Sequence, residues 1–141
     1  MTEPTRTEAT RVEPAVTSEA EPFWEATARG ELVLPWCVTC QRPFWYPRPT
    51  CPRCLQSAIE WRTASGHGRV YAVSVMYRPG NPLMASRVPY AVALVDLEEG
   101  VRMMSNIVHV GPHRVMVGAP VQVTWEALSD GRQLPLFTLR S

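Results

Sequence analysis

The chain has 141 residues, 45% of them hydrophobic, and a formal net charge of +1. That much apolar material excludes a wholly disordered chain and suits one compact unit or two very small ones. Near-neutrality argues against a polybasic nucleic-acid binder, and with arginine supplying all 14 basic residues there is no lysine for a Schiff base or a phosphate loop.

Residues 1–20 are Thr, Glu, Pro, Ala and Arg with little that is large and apolar. Such a stretch buries too little to offset its ordering entropy, so a flexible acidic tail is expected. Charge divides the chain at the same region. Residues 1–31 hold seven acids and three arginines, and residues 32–141 hold six acids and eleven arginines. The chain therefore runs from a net −4 segment into a net +5 body. Nothing in residues 1–14 resembles the apolar core of a signal peptide, and no apolar run approaches the ~20 residues of a membrane helix. A soluble cytoplasmic protein is expected.

A short helix is predicted within 21–34. Pro22 suits a first turn, acids come early, and Gly30 can cap the end. Phe23, Ala26 and Thr27 share one side, with Trp24 and Ala28 beside it. A helix this short is marginal alone and must pack on something.

The next stretch, 35–62, carries Cys37, Cys40, Cys51 and Cys54 in a C-x2-C-x10-C-x2-C pattern. Each pair can turn both sulfurs toward one point, and two such turns supply a tetrahedral site. In a reducing compartment metal is favoured over disulfides. Four thiolates leave no open position, so the metal is expected to be structural Zn2+, with iron in a rubredoxin-like site as the rival. Between the pairs, Phe44, Trp45 and Tyr46 are consecutive and cannot all point inward on an extended chain. Arg42, Arg48 and Arg53 surround them. Two readings stay open: a contact surface for an anion or partner, or the joint between ribbon and barrel.

From Val70 the pattern is strand after strand: VYAVSVMY, YAVALVDL, RMMSNIVHV, PVQVTWEAL and QLPLFTL. In VQVTW, Val121, Val123 and Trp125 fall on one face and Gln122 and Thr124 on the other. GPHRVMVG leaves room for one helical turn. Five short strands across 63–141 predict a small closed barrel of OB-fold type, with an SH3-like barrel as the alternative. The fold class is thus mainly β: a short helix, a zinc ribbon, then a five-stranded barrel.

No catalytic centre emerges. His67, His109 and His113 have no acid or nucleophile at a recognisable spacing. Asp96, Glu98 and Glu99 read as a polar hairpin end. Neither GxSxG nor GxGxxG occurs.

The stretch FWEATARGELVLPWCVTCQRPFWYPRPTCPRC, followed by EWRTASGHGRVYAVSV, resembles the DUF35 family of zinc-ribbon OB-fold proteins associated with acyl-CoA metabolism. PYAVALVDLEEGVRMMSNIV and VGAPVQVTWEALSDGRQLPLF continue the likeness in the family's order, over residues 22–138. All four cysteines are kept; the long acidic tail is the departure. The resemblance implies a non-catalytic accessory subunit. Its large partner would be thiolase-like, a thiolase, an acyltransferase or a lipid-transfer-protein-type aldolase of steroid side-chain degradation, in a heterotetramer. The small subunit would help form the acyl-CoA site. A MaoC-like enoyl-CoA hydratase is an alternative partner. On this reading Arg42, Arg48, Arg53 and Arg69 would meet the phosphates of CoA, and Phe23, Trp24, Phe44 and Trp45 would anchor the interface. The rival of another class is a single-strand nucleic-acid binder using Tyr71, Tyr77, Tyr90 and Trp125 as stacking platforms.

Overall fold

The computed structural model describes residues 11–141. The expected tail therefore lies half outside the described residues. Its second half, 11–20, runs against the barrel rather than away from it. The Glu13 carboxylate accepts from the Ser129 backbone at 3.0 Å and from its hydroxyl at 2.7 Å. Arg132 donates to the Pro14 carbonyl at 2.7 Å. Ser18–Ala20 forms a 3-10 turn, and Ala20 is fully buried. These residues of the expected tail thus make specific contacts with the barrel. Their attachment is polar, so composition alone concealed it.

Helix α1 spans Glu21–Ala28, shorter than the 21–34 segment allotted to it. It stops where Gly30 takes a positive φ of 73°, and the Glu31 N–H turns back to the Ala26 carbonyl. That is the glycine-ended stop which satisfies orphan carbonyls. Phe23, Trp24, Ala26 and Thr27 form its buried side. Thr27 docks the helix on the last strand: its hydroxyl accepts from the Gln133 N–H at 3.2 Å, and its carbonyl from the Gln133 amide at 2.9 Å.

The ribbon is a three-stranded antiparallel sheet in the order β2-β1-β3. β1 is Val33–Cys37, β2 is Arg42–Pro43 and β3 is Ile59–Thr63. β1 and β3 pair fully, from Val33↔Thr63 to Cys37↔Ile59. Neither strand stood out in the sequence, because β1 contains Pro35 and β3 has no buried face (its residues are half-buried or exposed).

The five expected strands form a closed barrel in the order β4-β5-β6-β8-β7. They are β4 His67–Met76, β5 Tyr90–Leu97, β6 Arg102–Ile107, β7 Pro120–Ala127 and β8 Gln133–Leu139. β5 alternates strictly, with Ala91, Ala93, Val95 and Leu97 inward. Closure comes from β4 on β7 and from a parallel pairing of β6 with β8 at Ile107↔Phe137. The foreseen helical turn is Pro112–Arg114. β4 begins three residues earlier than Val70, through a Ser-Gly-His-Gly segment that reads as a turn. Gly68 there pairs with both Leu97 and Val121. A Cβ on Gly68 would stand 2.6 Å from the Asp96 carbonyl oxygen. The strand needs its bare backbone to lie this close to β5.

One core joins the parts. Phe23, Trp24 and Ala26 of α1, Leu32–Leu34 and the barrel interior around Val70, Val95, Val121 and Phe137 belong to a single apolar cluster. The ribbon tip has only Cys37, Phe44 and Cys51 as a separate buried cluster.

Candidate functional site

The four cysteines converge. β1 delivers Cys37 and the turn after it Cys40; the loop before β3 delivers Cys51 and Cys54. Their sulfurs all lie within 4.8 Å of one another, with Cys37–Cys54 at 3.5 Å and Cys40–Cys51 at 4.0 Å. Four sulfurs at about 2.3 Å from one ion stand about 3.8 Å apart in a tetrahedron, so the cage matches the radius of Zn2+. Backbone N–H groups turn toward the sulfurs: Cys40 donates to Cys37 at 3.3 Å and Arg53 to Cys51 at 3.4 Å. Such bonds lower the cost of gathering negative sulfurs.

The thiols do not behave alike. Burial opposes charge on Cys51, but the backbone N–H groups of Cys54 and Arg53 and the Cys37 and Cys54 thiols outweigh it, lowering its pKa to about 6. At Cys54 the Gln56 backbone N–H favours the anion, yet burial and the three other thiols prevail and push it up to about 12. Cys51 ionises readily and Cys54 resists, because thiols that share hydrogen bonds in one cage ionise as a coupled set. A divalent cation removes that resistance. Among the described residues, no other group of three or more potential ligands gathers like this.

The aromatic loop divides its three rings. Phe44 is buried with Cys37 and Cys51, Trp45 is half-buried with its centroid 5.0 Å from Phe23, and Tyr46 is 48% exposed. Phe23 also meets Trp24 edge-on at 5.0 Å. This corrects the expectation that Phe23, Trp24 and Phe44 face a partner: all three are less than 8% exposed. The short helix and the core-poor ribbon use them to hold each other. Of the proposed anchors only Trp45 is partly reachable, and Tyr46, not singled out as an anchor, reaches solvent beside it.

The four arginines are not alike either. The Arg53 guanidinium donates to the Pro43 carbonyl at 3.1 Å and the Arg42 carbonyl at 3.4 Å, so it braces the two halves of the ribbon. Arg69 donates to the Gly118 carbonyl at 3.0 Å, away on the barrel. Arg42 and Arg48 are exposed on the ribbon, with no side-chain partner among the described residues.

The remaining candidates take the following places among the described residues. His113 meets the Tyr77 hydroxyl at 3.1 Å, and both are exposed. Among the described residues, His67 and His109 have no acid or nucleophile bonded to the ring. Three of the strand aromatics have different neighbours. Tyr71 lies under the Arg102 guanidinium at 3.4 Å, Tyr77 meets His113, and Tyr90 lines a cleft. No helix among the described residues is long and apolar enough to cross a membrane.

Residues 24–60 match the family model described as "ChsH2, rubredoxin-like zinc ribbon domain", and residues 61–126 match "ChsH2, C-terminal OB-fold domain". A "DUF35 domain-containing scaffold protein" of Methanothermobacter thermautotrophicus is 33% identical over 95 residues, covering 67% of this chain and 71% of the relative. The chain belongs to the DUF35 family. Among its other relatives, a "Probable enoyl-CoA hydratase alpha subunit" of Thermomonospora curvata is 35% identical over 131 residues. That match takes in 92% of this chain, which spans only 40% of that relative's length. A solved structure described as "Ltp2-ChsH2(DUF35) aldolase" superposes with a TM-score of 0.81 and 33% identity, over 90% of this chain and 98% of the matched one.

The family's ribbon and OB-fold assignments agree with the four-cysteine cage and the five-stranded barrel, as the sequence led one to expect.

Proposed function

We propose that the chain is the accessory subunit of an acyl-CoA enzyme, binding a thiolase-like large subunit of the lipid-transfer-protein aldolase type and helping to form its acyl-CoA site. The observation that carries this reading is the end-to-end superposition on the DUF35 chain of an aldolase assembly. The side chains are consistent with it. The ribbon's sulfurs form a closed cage suited to structural Zn2+. Chemistry is left to the partner, and the assembly would be a heterotetramer of two large and two small subunits.

CoA presents a pyrophosphate and a 3′-phosphate. In a lysine-free chain these must be met by arginine or by backbone N–H groups. Arg42 and Arg48 are the ribbon arginines whose side chains are not already engaged; Arg53 and Arg69 contribute only by giving up a carbonyl. Trp45 and Tyr46, beside them in the loop, offer the apolar contact.

The test is co-expression with a lipid-transfer-type thiolase-like subunit, followed by purification on a tag carried by this chain. A stable complex is expected, with Arg48→Ala raising KM for the CoA ester while leaving assembly intact. Turnover of an acyl-CoA by the isolated chain, or failure of any such large subunit to co-purify, refutes the proposal. The hydratase name of the Thermomonospora relative favours a second reading, partnership with a MaoC-like enoyl-CoA hydratase. Co-purification with that enzyme instead would decide for it.

A further inference from the structure

A cleft of about 500 Å3 lies where α1, the aromatic loop and the barrel meet. Phe23, Trp45, Tyr90, Val92, Met103 and Leu136 are among its walls. Its size falls within the range of about 300–1,000 Å3 typical of small-molecule sites. Met84 and Met104 join Met103 there, giving a wall that can adapt its shape. Two of the neutral polar groups on the wall already donate: the Ser105 hydroxyl to the Pro135 carbonyl at 2.8 Å, and one N–H of the Asn106 amide to the Ala91 carbonyl at 3.0 Å. They retain acceptor capacity, and Asn106 a second N–H, enough to pair with a hydroxyl or an amide. The ionised group on the rim, Arg11, is matched by Glu126 at 3.3 Å. A charged ligand would lose its water with no free counterion to meet it, whereas a neutral apolar molecule would lose little.

The cleft also has a cover. Arg11, Val12 and Pro14 line it from the N-terminal side. Polar bonds hold this strap: Arg11 to Glu126, Glu13 to Ser129, and Arg132 to the Pro14 carbonyl. Its apolar residue Val12 is 45% exposed, so burial holds it only weakly. The second oxygen of Glu126 accepts from Arg87 at 2.8 Å. Arg87 ends the Pro82–Arg87 turn, which carries Met84 to the same cleft. One carboxylate on β7 thus fastens two separate pieces of the rim.

We propose that this cleft binds a neutral, largely apolar small molecule, and that residues 11–14 are its lid, latched together with the 82–87 turn by Glu126. The proposal goes beyond the accessory-subunit reading and does not rest on it.

The test uses the full chain with Nile red as a neutral fluorescent probe, and 1-dodecanol and laurate at pH 8 as neutral and charged competitors of equal chain length. Saturable uptake of one dye per chain is expected, with dodecanol displacing it at roughly tenfold lower concentration than laurate, since laurate must bury its charge. Val92→Phe, which fills the cleft, should weaken dodecanol binding by roughly tenfold or more. If that variant does not fold, Leu134→Phe on β8 takes its place. Glu126→Gln should accelerate dye uptake and release several-fold in stopped flow. Absence of saturable uptake, equal competition by laurate, or an unchanged affinity in the filled variant overturns the site. Unchanged rates in Glu126→Gln overturn the lid.

Discussion

Cys51 is the place to test the ribbon, because it is fully buried and its sulfur accepts from the Arg53 N–H. In Cys51→Ser a hydroxyl that stays protonated replaces a thiol whose pKa is lowered to about 6. Structural zinc contributes about 10–16 kcal/mol in small Cys and His domains, so an equal share per ligand is about 2.5–4 kcal/mol. At about 1.4 kcal/mol per decade this predicts a fall in zinc affinity of about 10²–10³-fold. The assay is competition with a chromophoric chelator, comparing wild type, Cys51→Ser and the exposed control Thr39→Ser. The control is expected to bind as wild type does. Because the cysteines lie in the ribbon tip's separate cluster and not in the core that holds the barrel, the substitution should remove an early, metal-dependent transition while the barrel still melts cooperatively. Zinc retained within threefold of wild type, or wild-type protein that takes up no zinc, would refute the reasoning.

Three further outcomes follow from the packing. Phe23→Ala removes the ring that contacts both Trp24 and Trp45, and a cost of about 3–5 kcal/mol is expected in chemical denaturation. Gly68→Ala should lower the thermal midpoint, because its Cβ would press on the Asp96 carbonyl; a melt identical to wild type would show that the barrel can yield there. The Glu126 carboxyl is pushed upward by burial but held below its ordinary value of 4.5 by Arg87 and Arg11. A pKa depressed by folding contributes stability above the unfolded value, and that contribution is lost as pH falls through the folded one. Urea midpoints measured between pH 6 and pH 3 should therefore drop more steeply for wild type than for Glu126→Gln.

The sequence carried the metal cage almost completely, because ligand spacing is a local property and the chemistry of four thiolates admits few alternatives. The barrel strands were equally plain, since alternation in Tyr90–Leu97 and β-branched runs in Pro120–Ala127 reflect the two-residue period of a half-buried sheet. What escaped was set by distant partners. Glu13 reads as a solvated tail residue until Ser129 is beside it, 116 positions away. Phe23 and Phe44 could face either way as letters, and only the lack of other core in the ribbon turns them inward. Two successive methionines point to opposite faces of β6, Met103 buried and Met104 exposed, yet both line the cleft, and that depends on where the helix and loop arrive.

The placement of the tryptophans has a practical outcome. Of five in the chain, Trp24, Trp36, Trp45 and Trp61 belong to the helix or the ribbon, and only Trp125 to the barrel. Trp36 precedes Cys37 on β1 and lies 4.1 Å beneath the Arg62 guanidinium, and Trp45 follows Phe44 out of the cysteine cluster. The ultraviolet emission of the chain is therefore weighted toward its metal-holding half. Loss of the ion would register in the colour and intensity of that emission without any added label, making the protein its own gauge of loading.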